Sequence, residues 1–114
     1  GTARETLISL MESNKTGLRR IRGRLPAGTI VADKTGTLAG TVNDVGFITL
    51  PDGKGTVALA VFIKGSEAPP VAREAVIADI ARLLYDYYLL TTPGRISGDR
   101  PFCFSPDQDQ ASAR

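Results

Sequence analysis

Residues 34 to 37, Lys-Thr-Gly-Thr, form the part of this chain best suited to chemistry. They place the cation of Lys34, the hydroxyl of Thr35 and the bare backbone of Gly36 next to one another. Because they follow the apolar run Thr29–Asp33, we predict that they lie at the end of a short strand. A site that holds a carboxylate and polarises an acyl group requires these components.

The residue types that are absent exclude several classes of site. The chain has no histidine and a single cysteine, Cys103. Ser-His-Asp catalysis, Cys-His catalysis and zinc sites built from histidines or thiolates are therefore excluded. A lone cysteine cannot form an internal disulfide either. We predict no metal and no cofactor.

An arginine cluster raises the possibility of a nucleic-acid partner. It consists of Arg19, Arg20, Arg22 and Arg24 and could contact phosphate groups. However, no aromatic side chains are interleaved with it, the net charge is only +2, and no known nucleic-acid-binding motif is present. We therefore predict no nucleic-acid partner.

The elements that must position these residues follow from local patterns. With 114 residues, 42% of them hydrophobic, the chain is one domain or part of one. Thr2 to Glu5 fits a capping box that starts an amphipathic helix with apolar residues Ala3, Leu7, Leu10 and Met11. Three strands are then predicted as an antiparallel meander: Thr29–Lys34, Val45–Leu50 with a lead-in from Thr41, and Thr56–Lys64.

A long helix after Pro69-Pro70 completes the predicted α+β fold. Its helical stripe is expected to pack on the sheet and comprises Val76, Ile80, Leu83, Leu84 and Tyr87. Residues 91–114 are rich in Gly, Pro, Ser, Asp and Gln, so we predict a polar tail after a folded portion of residues 1–90. No apolar run approaches the length of a membrane span, and any targeting segment is expected to lie outside this chain.

Several short blocks occur in the order, and close to the spacing, of one known family. They are Leu10-Met-Glu-Ser-Asn14, Lys15-Thr-Gly17, Arg20-Ile-Arg22, Leu25-Pro26, Asp33-Lys-Thr-Gly-Thr37 and Asn43-Asp44. On these residues the chain resembles the C-terminal part of a class A serine β-lactamase, over about residues 1–90. The resemblance implies the C-terminal half of that family's α/β domain, with the long helix packed on the sheet.

Two of the three motifs of that family are missing. The set is S-x-x-K, S-D-N and K-T-G, and only K-T-G occurs here. No glutamate has an asparagine four residues further on, so the family's deacylating glutamate is missing as well. The chain lacks the nucleophile, the lysine base and the water-activating residue, and alone it is not expected to hydrolyse a β-lactam.

The resemblance implies a role for each residue of the K-T-G segment in a complete enzyme that forms an acyl-enzyme. Lys34 would attract the substrate carboxylate, and the Thr35 hydroxyl would bind it. Gly36 would let the substrate approach the backbone. Thr37 would supply one N–H group of the oxyanion hole.

The resemblance also implies an arginine whose guanidinium binds the substrate carboxylate. Asn43 and Asp44 stand where many members of the family have an arginine on the second strand. Arg20 and Arg73 are the two alternative candidates for that role. Asp33 is expected to point away from Lys34 and to act as a structural partner.

Other classes of function stay open on the sequence. A D-alanyl-D-alanine peptidase-like fragment shares K-T-G, and a catalytically inactive module could retain the fold.

In the intact family fold the last strand pairs with the N-terminal portion, so we predict association through Thr56–Lys64. The partner would be the missing N-terminal segment or a second copy. The resemblance further implies a β-lactam substrate and a periplasmic or secreted bacterial location.

Overall fold

The computed structural model describes residues 1–94. In chain order the elements are helix α1 (Ala3–Glu12), a 3-10 helix (Ile21–Arg24), strands β1 (Val31–Leu38), β2 (Thr41–Thr49) and β3 (Thr56–Ile63), and helix α2 (Pro70–Thr91). This confirms the predicted α+β class with its three-stranded meander between two helices. Most of the predicted tail, including Phe102, Cys103 and Phe104, lies outside the described residues.

The sheet has the order β1-β2-β3, and both pairs are antiparallel. The prediction that the first strand runs from Thr29 to Lys34 was wrong at its end, because β1 continues to Leu38. Leu38 pairs with Thr41, and Gly40 has a φ of 70°, so a two-residue turn joins β1 to β2. The K-T-G segment therefore lies inside an edge strand and is paired along its length, rather than at the end of the strand.

The core lies between the sheet and α2. The buried hydrophobic side chains that form it are Ile21, Val31, Val42, Ile48, Leu50, Val57, Ile77, Ala81 and Tyr85. Ala78 and Ala81 are buried on α2, and such small residues allow a helix to approach its neighbours closely. The 3-10 helix contributes the fully buried Ile21.

The prediction of which face of α2 is buried was wrong. Of the predicted stripe, Leu84 packs against the core, but Val76, Ile80, Leu83 and Tyr87 are exposed, Leu83 to 71%. The helix is apolar around most of its circumference, so the spacing of large side chains did not identify the buried face. Within residues 1–94 the larger apolar stripe faces away from the core.

Helix α1 is capped as predicted. The Glu5 N–H donates to Thr2 Oγ1 at 3.2 Å, and the Thr2 N–H donates to Glu5 Oε2 at 3.1 Å. Its residues Leu7 and Leu10 are exposed, while Met11 borders a depression on the outer face of the sheet. No helix within residues 1–94 combines the length and apolarity needed to cross a bilayer.

Candidate functional site

The outer edge of β1 presents unpaired backbone groups. The Thr49 N–H donates to Ile30 O at 3.0 Å, which makes these opposite residues a hydrogen-bonded pair. Bonded and non-bonded pairs alternate along an antiparallel ladder. Gly36 therefore bonds to Asn43 on β2, whereas Thr35 and Thr37 direct their N–H and C=O groups to the free edge. A backbone N–H at this position can donate to an oxygen that acquires negative charge.

Arg20 braces this strand from the core side. Its side chain is buried and exposes 6% of its surface. Nη1 donates to Gly36 O at 3.0 Å and to Asn43 O at 2.9 Å, and Nη2 donates to Thr37 Oγ1 at 2.7 Å. The guanidinium therefore fixes the ladder pair beside Thr37 and the side chain of Thr37 itself. Arg20 is brought to the K-T-G segment as the sequence suggested, but it contacts the chain's own oxygens.

On α2, the residue that contacts Arg20 is Glu74 rather than Arg73. Glu74 Oε1 lies 3.5 Å from Arg20 Nε, and its side chain is 19% exposed. The neighbouring Arg73 donates from Nε to Ala68 O at 2.8 Å, in the loop before the helix. Sequence reasoning missed Glu74, although an acidic residue beside a candidate arginine in the first turns of a helix was an available signal.

Lys34 lies on the opposite face of the strand from Asp33, as expected from strand alternation. Its side chain is exposed, and Nζ donates to Thr35 O at 2.7 Å, along the free edge. Lys34 forms no ion pair within residues 1–94, so its charge is available to an incoming carboxylate.

The hydroxyl of Thr35 is engaged by the loop that follows α1. Thr16 Oγ1 donates to Asn14 Oδ1 at 2.7 Å and lies 2.7 Å from Thr35 Oγ1. Since the single hydroxyl hydrogen of Thr16 points to Asn14, Thr35 is the donor in this contact. Thr35 must turn away from Thr16 before it can donate to a carboxylate. No local pattern in the sequence indicated this link.

Gly36 has a second reason to lack a side chain. A Cβ on Gly36 would collide with the amide of Asn43, its partner across the ladder. The glycine therefore allows Asn43 to lie over the strand, in addition to leaving the backbone accessible.

Two fully buried carboxyl groups lie beneath the strand. Asp33 Oδ1 accepts from Arg22 Nε at 2.9 Å, which agrees with its expected structural role, and Asp44 Oδ2 accepts the Ile21 N–H at 3.2 Å. Burial, followed by the charge of Asp33, raises the pKa of Asp44 from 3.8 to about 7. The Ile21 N–H and the charge of Arg20 lower this pKa, but less.

Comparison with known proteins identifies the family and the fold. The sequence profile described as the Beta-lactamase enzyme family matches residues 1–88. The chain belongs to this family. Similar proteins include β-lactamase VEB-1 of Pseudomonas aeruginosa, 42% identical over 86 residues that cover 70% of this chain and 28% of that protein. The extended-spectrum β-lactamase PER-1 of the same species is 40% identical over 94 residues, which cover 77% and 30%.

Solved structures agree with the sequence relatives. A class A β-lactamase from Bacteroides cellulosilyticus superposes with a TM-score of 0.70 at 34% identity, covering 76% of this chain and 34% of that one. These similarities confirm the resemblance to class A serine β-lactamases. The chain spans about 30% of the length of the relatives it matches.

Proposed function

We propose that this chain supplies the K-T-G wall of a serine β-lactamase site, in which the β-lactam ring opens through an acyl-enzyme. The observation that carries the proposal is the Thr37 N–H on the free edge of β1, beside a strand braced by Arg20. The similar proteins described above are β-lactamases, which favours this function for the chain over that of a D-alanyl-D-alanine peptidase.

Each residue of the strand has a proposed part in binding or polarising the substrate. Lys34 attracts the carboxylate of the β-lactam, and Thr35 donates its hydroxyl to the same group. Gly36 permits close approach, and the Thr37 N–H stabilises negative charge on the acyl oxygen. These parts fit the exposed ammonium and the free backbone edge.

The two candidate arginines have different support. Arg20 is proposed to hold Thr37 in place, because its Nη atoms already donate to oxygens of the chain. Arg73 is proposed only as an outer contact for the carboxylate. Its Nε is engaged by Ala68 O, whereas the planar guanidinium has further donors.

The nucleophile must come from outside residues 1–114, since the sequence contains no S-x-x-K motif. We propose that residues 1–90 form the C-terminal portion of a β-lactamase domain. An N-terminal segment or a second copy would cover its exposed apolar surface, which includes Phe62 on β3 and Leu83 on α2. A β3 strand at the edge of the sheet offers such a partner a row of backbone groups. A periplasmic or secreted location is part of the same proposal.

A chimera tests the proposal directly. Residues 1–90 would replace the matching C-terminal segment of VEB-1, which would then supply the nucleophile and the general base. We expect hydrolysis of a chromogenic cephalosporin. We further expect Lys34→Ala to reduce kcat/KM by on the order of 10²-fold, the effect of removing one electrostatic contact from such a site.

The matched control is Lys64→Ala, which removes an exposed lysine just after β3. It should leave kcat/KM within about twofold, because an exposed side chain remote from the site contributes little. A chimera with a cooperative unfolding transition but no hydrolysis would contradict the proposal. Equal effects of the Lys34 and Lys64 substitutions would contradict the role assigned to Lys34.

A further inference from the structure

Asp33 and Asp44 form a buried pair of acids with too few hydrogen-bond donors. Both are 0% exposed, and both project from the core face of adjacent strands. Arg22 and the Ile21 N–H satisfy one oxygen of each acid. Among residues 1–94, neither Asp33 Oδ2 nor Asp44 Oδ1 has a hydrogen-bond partner. Two unsatisfied carboxylate oxygens in the core would each cost free energy.

A single proton resolves both deficits. We propose that Asp44 is a neutral carboxylic acid that donates a hydrogen bond to Asp33, and that this shared proton positions Arg20 behind the K-T-G strand. Asp33 is the acceptor because it holds the ion pair with Arg22, whose Nη2 lies 2.8 Å from Asp33 Oδ1. Asp44 differs in that its bonded oxygen accepts a neutral backbone N–H.

Asp44 is linked to Arg20 in two ways, through its own side chain and through the backbone of the residue before it. Its Oδ2 accepts the N–H of Ile21, the residue after Arg20, and so fixes the start of the 3-10 helix. The residue before it, Asn43, accepts directly from Arg20 Nη1. Asp44 therefore fixes the backbone next to Arg20 and is adjacent to Asn43, whose carbonyl accepts from the guanidinium. It is a positioning residue, because its contacts to the site run through Arg20.

The charged groups around Asp44 come from each packed element. β1 contributes Asp33, the segment of the 3-10 helix contributes Arg20 and Arg22, and α2 contributes Glu74 through its contact with Arg20. Two cations thus face three acids. Protonation of one acid balances these charges, which agrees with the raised pKa of Asp44.

The sign of the pH dependence follows from that raised pKa. In the unfolded chain Asp44 titrates near 3.8, and in the folded chain it titrates near 7. The folded state then binds more protons between these values, so the contribution of Asp44 to stability is complete below the lower pKa and is lost as pH rises through the higher one. The unfolding equilibrium constant should rise by up to about tenfold per pH unit across this range from Asp44 alone.

Asp44→Asn is the decisive variant. An asparagine amide can donate to Asp33 while its carbonyl accepts the Ile21 N–H, so it reproduces the neutral acid without titrating. Between about pH 4.5 and 6.5, Asp44 should make the unfolding constant of the wild-type chain rise by about tenfold per pH unit, and this contribution should be missing in the variant. The variant should also lack the infrared band of a protonated carboxylic acid that the wild-type chain shows below the raised pKa.

Two further variants make the test specific. Asp79→Asn removes an exposed acid that pairs with Arg24 and should leave the slope unchanged. Asp44→Ala removes both hydrogen bonds, and at about pH 5 its unfolding constant should exceed that of Asp44→Asn by about tenfold or more. A wild-type slope in Asp44→Asn, or equal stability of the alanine and asparagine variants, would overturn the proposal.

Only the catalytic consequence rests on the proposed function. In the VEB-1 chimera, kcat/KM should fall above about pH 7 with wild-type Asp44 and stay level over the same range in the Asp44→Asn variant. An inactive chimera would count against the proposed function, while the unfolding and infrared measurements would still decide the state of Asp44. An active chimera whose pH profile is unchanged by Asp44→Asn would contradict the positioning role.

Discussion

Arg20 provides a direct test of how the K-T-G strand is held. Arg20→Ala removes the donors to Gly36 O and Asn43 O, both in the part-buried ladder. Bonds from a charged donor contribute about 1.5 kcal/mol each at the lower end of their range, so the two together amount to about 3 kcal/mol. The contacts to Thr37 and Glu74 add little to this figure, because water can replace the guanidinium at both. The unfolding equilibrium constant should therefore increase by about 10²-fold.

Urea-induced unfolding followed by far-UV circular dichroism measures this change. Arg20→Lys keeps one charged donor but loses the fork, so it should fall between the wild type and the alanine variant. Arg19→Ala, at the neighbouring exposed arginine, is the matched control and should stay within about 0.5 kcal/mol of the wild type. If Arg20→Ala matched this control, the bracing role of the guanidinium would be refuted.

Two further substitutions test the sheet. Gly46→Ala should destabilise the chain by about 2 kcal/mol, because a Cβ there would collide with Ala32 O and lie 2.9 Å from Asp33 Cα. Gly94→Ala is its control, because the new Cβ would make only an ordinary van der Waals contact with Asp52 O. Equal urea midpoints for the two variants would contradict the clash at Gly46. Phe62→Lys, at a side chain 67% exposed on β3, should abolish self-association in sedimentation analysis. Leu38→Lys, on the opposite edge strand, should leave self-association intact. Equal loss of self-association in both variants would exclude the β3 edge as the site of association.

Local patterns were sufficient for the two α-helices, the three strands and their order, but they did not indicate the 3-10 helix. The capping box of Thr2 and Glu5 depends on residues three apart, and it formed as predicted. The strands were found because β-branched and apolar residues cluster between turn residues, although β1 extends four residues beyond the predicted end at Lys34. That extension depends on pairing with β2, which a pattern within one strand does not contain.

The candidate site was predictable in its residue types and less so in its contacts. Lys34, Thr35 and Thr37 could be named from the sequence because K-T-G recurs with recognisable neighbours. The contact of Arg20 with Thr37 joins residues 17 positions apart, and the link from Thr16 to Thr35 joins residues 19 apart. Neither contact follows from a local pattern, because each depends on how the loop after α1 packs against the edge strand.

The sequence by itself therefore determined the α+β meander, the K-T-G segment and the absence of a nucleophile motif, since composition and short-range spacing fix these properties. Only the tertiary structure decided which face of α2 is buried. That helix is apolar on several sides, and the small Ala78 and Ala81 lie on the face that packs against the rest of the fold. It also decided that Arg20 contacts the chain's own oxygens and that Asp33 and Asp44 are both buried, because this arrangement exists only once β1, β2 and the 3-10 helix have packed together.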